Sequence, residues 1–182
     1  MRWGVVAVSL AVSVAVVVAG CSSAKVGGEP DRDRDKSRKL GPTDLVIPVE
    51  LRPVLQMTPS GAPTPTSAPA EPDATTMTDT DGTSYRLAEP IITIRGLDGA
   101  QAGAAENSPN DVVITLDLTD DDGETFREWT TDHVSEQLAM VVDGEVVFAP
   151  SIQTPITDGK VQINGGYTRT EAEDLLNKIT GH

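Results

Sequence analysis

The 182-residue chain has one cysteine, Cys21, so no disulfide can form within it and its fold must rest on an apolar core. It has two histidines, His133 and His182, and neither has a second ligand at zinc-like spacing. No Gly-x-Ser-x-Gly occurs, and no nucleophile, base and orienting group can be assembled from these residues, so the chain does not read as an enzyme. No cofactor motif is present. Aromatic residues are scarce: Trp3, Tyr85, Phe126, Trp129, Phe148 and Tyr167. Tight interfaces draw on aromatic and arginine anchors, so binding by this chain is expected to be weak and backbone-directed. Cationic residues thin out beyond residue 40, where seven Lys and Arg face 24 Asp and Glu. Such a surface repels phosphates and excludes nucleic acid as a partner.

What is present begins with a short basic start, Arg2, and an apolar run from Val5 to Ala19. That run suits the core of a signal peptide but is shorter than the roughly 20 residues of a spanning helix. It closes on Val18-Ala19-Gly20-Cys21, which resembles the bacterial lipoprotein signal. The resemblance implies that residues 1–20 are removed, that Cys21 is acylated, and that a lipid holds the protein on the extracytoplasmic face of the cell membrane. Two or three acyl chains anchor stably, each buried methylene contributing about 0.8 kcal/mol.

Composition divides the rest. Residues 21–43 read as a flexible tether, with alternating charge from Asp31 to Lys39 and nothing apolar to bury. Residues 44–56 form a short strand-like island, Leu45-Val46-Ile47-Pro48-Val49-Glu50-Leu51-Arg52-Pro53-Val54-Leu55. Its two prolines lack ladder donors, so it reads as an edge strand or a strip laid on the domain. Residues 57–83, rich in Pro, Thr, Ser and Ala, read as a disordered linker.

A single folded domain is expected over 84–182. Leu87 to Ile94 reads as a strand broken by Gly96 and Gly99, and Ala100–Ala105 as a helical turn. Asp111 to Leu118 alternates as a strand, followed by a helix over 124–137 with Phe126, Trp129, Thr130 and Val134 near one side. Asp143-Gly144 between two apolar runs signals a hairpin. A short strand at 160–164 precedes Gly165-Gly166, and Thr168 to Glu171 forms a capping box for a helix carrying Ala172, Leu175, Leu176 and Ile179. The expected fold class is α+β, an antiparallel sheet with two main helices on one face.

Two acidic clusters bear on metal binding. Asp79-Thr80-Asp81-Gly82 matches the middle of an EF-hand loop, but the first position would be Met77 and the twelfth Ala88, so the motif fails. Asp117 with Asp120, Asp121 and Asp122 reads as an acidic helix start. No metal is expected.

From Leu116-Asp117-Leu118 through Gly123, Phe126 and Thr130 to Leu138-Ala139-Met140-Val141-Val142-Asp143-Gly144, the chain resembles the head region of the first periplasmic domain of SecD. Val147-Phe148-Ala149-Pro150-Ser151-Ile152, Pro155-Ile156, Gly159, Gln162-Ile163, Gly165, Tyr167-Thr168 and Glu171-Ala172 continue the likeness. The resemblance implies contact with unfolded exported polypeptide or with the Sec translocon. SecD's membrane helices, and the proton-driven pulling tied to them, have no counterpart in this sequence. A head-like fold serving an unrelated envelope partner or ligand is the alternative.

The best candidate contact segment is Ala149, Pro150, Ser151, Ile152, Pro155 and Ile156. Its prolines leave backbone groups unpaired and its isoleucines are read as exposed, a setting for β-augmentation by an extended client. The same residues also suit a proline-stiffened crossover packed on its own sheet.

Overall fold

A computed structural model describes residues 38–62, 73–105 and 108–182, the side chains of 108–110 excepted. The signal peptide, Cys21, most of the tether and residues 63–72 of the expected linker lie outside the described residues. The strands are β1 Arg38–Leu40, β2 Thr43–Thr58, β3 Thr75–Thr78, β4 Ser84–Leu87, β5 Ile92–Ala105 and β6 Ser108–Leu118. After helix α1, Asp120–Asp132, come β7 Leu138–Val142, β8 Glu145–Phe148, β9 Lys160–Ile163 and helix α2, Arg169–Thr180. All strand pairings are antiparallel, and the α+β class with two helices is observed.

β2 organises the sheet. Its centre pairs with β5 on one side and β7 on the other, Val49 lying opposite both Ile94 and Val142. Its far end pairs with β4, which in turn carries β3. The strand order through the larger sheet is thus β9-β6-β5-β2-β7-β8, with β1 beside β5 at Ala100–Ala102.

This placement corrects the expected domain start near residue 84. The 44–56 island is a central strand with Val49 and Leu51 buried. Its prolines are accommodated in two ways. Pro48 falls where the β2–β5 register shifts, between Asp44 and Val49. Pro53 contributes through its carbonyl, which accepts from the Ala88 N–H at 3.0 Å, while the next N–H, that of Val54, donates to Gln137. A proline can therefore sit in an interior strand where a bulge or a changing partner removes the need for its N–H.

The expected linker also holds structure. Thr75, Thr76 and Thr78 form β3 with Met77, and the Asp79–Gly82 segment is the turn joining β3 to β4. Asp79 Oδ1 accepts from the Asp81 and Thr83 backbone N–H groups, and Gly82 takes a φ of 79°. The expected helical turn at Ala100–Ala105 is instead the end of β5, whose strand continues through Gly96 and Gly99 with a register shift between Leu97 and Gly99. Pairing along β6 overrides alanine's helical preference there.

The first helix lies four residues upstream of its expected start. Thr119 caps it by accepting from the Asp122 N–H, which draws Asp120, Asp121 and Asp122 into the first turn, where the dipole favours them. It ends at Asp132 because the following backbone is used elsewhere: Ser135 donates to Ile152, and Ile152 donates to Glu136, each at 2.8 Å. Val134, expected on the helix's inner side, is outside the helix and 40% exposed. The expected hairpin and capping box are observed. Asp143 and Gly144 both take positive φ, 55° and 80°. Thr168 and Glu171 bond reciprocally, and Gly181 closes α2 in the left-handed conformation against the Val46 side chain.

All five residues of β7 are buried because the sheet folds over to cover both faces. Leu138, Met140 and Val142 join the main core beneath Phe126, Leu176 and Ile179. Ala139 and Val141 face a smaller core with Tyr85, Leu87 and Val146. A continuous apolar run is the expected signature of such a doubly covered strand.

Candidate peptide-binding surface

The segment after β8 crosses from one border strand of the larger sheet to the other. Its inner side is fixed. Pro150 accepts from the Leu138 N–H at 3.0 Å, Ser151 bridges Gln137, and both backbone groups of Ile152 are bonded. The Ile156 N–H donates to the buried Thr130 hydroxyl at 3.1 Å, which ties the strap to α1. Ile152 is 4% exposed and belongs to the main core. The expectation that Ile152 and its backbone are exposed to a client is therefore corrected, since the isoleucine supplies core surface and its backbone closes a local ladder.

The six candidate residues consequently divide. Pro150, Ser151 and Pro155 face outward, Ala149 and Ile156 are half-buried, and Ile152 is inside. Beneath the strap lies an apolar cavity of about 60 Å³ bordered by Leu51, Phe126, Met140, Ile152 and Ile156. Outside it runs an open groove of about 440 Å³, walled by Phe148, Pro150 and Thr154 on one side and by Lys160, Gln162 and Asn164 on the other. Its second wall is β9, which hydrogen-bonds to β6 and to no other described strand. An open strand edge beside an apolar strap can take an extended chain: main-chain bonds give affinity, and alternate side chains enter the groove.

The sequence reading missed Lys160, Gln162 and Asn164. The signal was present in the period of two across Lys160-Val161-Gln162-Ile163, with Val161 and Ile163 buried and their neighbours exposed. That alternation shows one wet face; it does not show which strand lacks a neighbour.

Other candidates resolve into structural roles. His133 caps α1, its ring stacked on Trp129 with centroids 4.2 Å apart and Nδ1 2.8 Å from the Trp129 carbonyl oxygen. His182 Nδ1 lies 3.0 Å from the Thr180 carbonyl oxygen. Asp117 meets Lys160 at 2.6 Å. Burial raises the Asp122 pKa, opposed by its hydrogen bond with Thr119. Among the described residues, no three His, Cys, Asp or Glu converge to hold a metal ion, and no helix is long and apolar enough to cross a membrane.

Residues 73–181 match the family described as SecDF, P1 head subdomain, a span that takes in β3. The chain is 39% identical over 69 residues to the protein translocase subunit SecD of Magnetococcus marinus, covering 38% of this chain and 13% of that one. It is 32% identical over 91 residues to SecD of Acidaminococcus fermentans, covering 50% and 22%. It is 32% identical over 100 residues to SecD of Mycobacterium tuberculosis, covering 53% and 17%. A solved SecDF structure, described as a membrane component that enhances protein export, aligns with a TM-score of 0.48 at 21% identity over 74% of this chain and 61% of that one. The chain spans less than a quarter of the length of these curated relatives. With its P1 head match covering more than half of its residues, the chain belongs to the SecDF P1 head subdomain family.

Proposed function

We propose that this protein is a lipid-anchored, non-catalytic head that touches extended polypeptides during or after export, alone or beside the Sec machinery. The observation that carries this reading is the groove between the proline strap and the open edge of β9, set in a domain of the SecDF P1 head family. Relatives named as protein translocase subunits support an export setting.

The lipid is part of the proposal. Cys21 follows Val18-Ala19-Gly20, and β1 begins at Arg38. Seventeen peptide links separate the two, so the start of β1 lies within about 60 Å of the acylated residue even at full extension. Confinement at that distance raises the effective concentration of head and client without further contacts. Weak, micromolar contact then suffices for transient handling of many sequences.

A photo-crosslinking side chain at the exposed Ser151 position tests the reading in cells. Exported polypeptides or translocon subunits are the expected adducts; one folded envelope protein as the sole adduct would overturn the chain-handling role. Cys21→Ser with membrane fractionation tests the anchor: loss of the lipid mass and release from membranes are expected. Retention of both would remove the lipid from the proposal.

A further inference from the structure

The strap groove lies beside β9; a separate depression of about 250 Å³ lies along β8. Val146, Val147, Phe148 and Ala149 border it in succession. Successive side chains of a regular strand point to opposite faces, so four in a row bordering one cavity mark a break in that alternation along the open side of β8. β8 pairs with β7 alone among the described strands, and this is its other edge. Val147 is an extra residue there, because Phe148 opposes Met140 and Val146 opposes Val141. Its carbonyl accepts from the Tyr167 hydroxyl at 3.3 Å. A bulge whose carbonyl is engaged does not support a long regular ladder, so this groove is suited to reading a side chain.

Its walls are acidic and aromatic. Asp79, Asp81 and Tyr85 form one, Gly165 and Tyr167 the other, and no lysine or arginine is among the lining residues. The Tyr85 hydroxyl donates to Asp79 Oδ2 at 3.1 Å, and Asp81 is exposed. Two further carboxylates act on the groove: burial, then the charges of Glu171 and Glu145, raise the Tyr167 pKa. Burial, then the hydrogen bond and charge of Asp79 and the charge of Asp81, raise that of Tyr85.

We propose that the outer groove of β8 is a subsite for a lysine or arginine side chain carried on an extended polypeptide. The occupant follows from charge complementarity. Asp81, with Glu145 and Glu171 nearby, supplies negative potential, and the half-buried Tyr167 side chain and the Tyr85 hydroxyl line the groove beside it. The inference rests on the reading that the head contacts extended chains, and it adds a preference for cationic residues in those chains.

The test uses the full chain in detergent micelles and three labelled twelve-residue peptides of Ser, Thr and Val that differ only in a central Lys, Gln or Glu. Fluorescence anisotropy should show the Lys peptide binding about threefold tighter than the Gln peptide, the size expected for a partly solvated ion pair. The Glu peptide should bind more weakly than either. The Lys advantage should vanish in Asp81→Asn/Glu145→Gln and shrink in 0.5 M salt. Should the double variant lose its cooperative melt, Asp81→Asn alone, at an exposed position, repeats the measurement. Equal binding of all three peptides, or a Lys advantage that survives both variants, overturns the subsite while leaving the polypeptide-binding role intact. Failure of every peptide to bind overturns both.

Discussion

β8 and β9 border the larger sheet, and the chain treats the two edges in opposite ways. The β8 edge is bulged at Val147, held by the Tyr167 hydroxyl and surrounded by carboxylates. The β9 edge is regular over Lys160–Ile163 and faces an apolar strap. A bulge and nearby like charges protect an edge from unwanted pairing, whereas a regular edge beside apolar surface invites it. The difference shows how one small sheet can close one edge to regular pairing and leave the other regular.

The largest effect expected comes from removing what separates the edges. A chain beginning at residue 73 retains both border strands and the helices but lacks β2, with its buried Val49 and Leu51. Thermal melting followed by circular dichroism should show no cooperative transition. A sharp melt would mean that the strands after residue 73 hold together unaided.

Next in size is the inner side of the strap. Ile152→Ala should cost about 2–4 kcal/mol in a chemical-denaturation measurement, because it enlarges an apolar cavity already present beside this residue. Ser151→Ala, one residue away and facing outward, should change stability by less than about 0.5 kcal/mol. Equal effects at the two positions would contradict the division of the strap into an inner and an outer side.

A smaller change distinguishes the edges themselves. A Cβ at Gly165 would stand 2.6 Å from the Tyr167 ring, so Gly165→Ala should swing the ring away from Val147. Losing that hydrogen bond should cost about 1 kcal/mol. Amide exchange should quicken along β8 and stay unchanged along β9; quickening at both edges would show that Tyr167 supports more than β8.

The smallest effect is an alkaline pH dependence from Tyr167, whose hydroxyl bonds to β8. The Tyr167 pKa is raised, chiefly by burial, so the folded state favours the neutral phenol. Its contribution is fully present below the ordinary tyrosine value near 10 and is lost as pH rises through the higher folded value. Tyr167→Phe should flatten this alkaline slope in melting temperature. An unchanged slope would assign it to Tyr85, whose pKa is raised as well.

Local rules in the sequence were enough for the Asp143-Gly144 hairpin, the Thr168 capping box, the last helix and the α+β class. Each depends on chemistry within a few residues. What was not legible depended on partners far along the chain. Pro48 and Pro53 marked an edge, yet the strand is interior because its neighbours change where the prolines fall. Thr75 to Thr78 looked like linker because a short polar strand on the border of a sheet has little apolar content to display. The same reason hid the two sides of the strap. Ile152 and Ile156 look alike in sequence, and only the bonds from residues 135, 136 and 138 show which side of the strap turns inward. Which strand edges stay open is a property of the whole sheet.

The central position of β2 also sets the order of assembly. Val49 is synthesised early, whereas its partner Val142 follows much later in the sequence. Pairings between residues so distant in sequence form slowly, because a long loop must close before the contact repays it. A chain made amino-terminus first cannot complete its interior until β7 has also been made. The topology thus works as a timer that holds off folding until most of the chain is present.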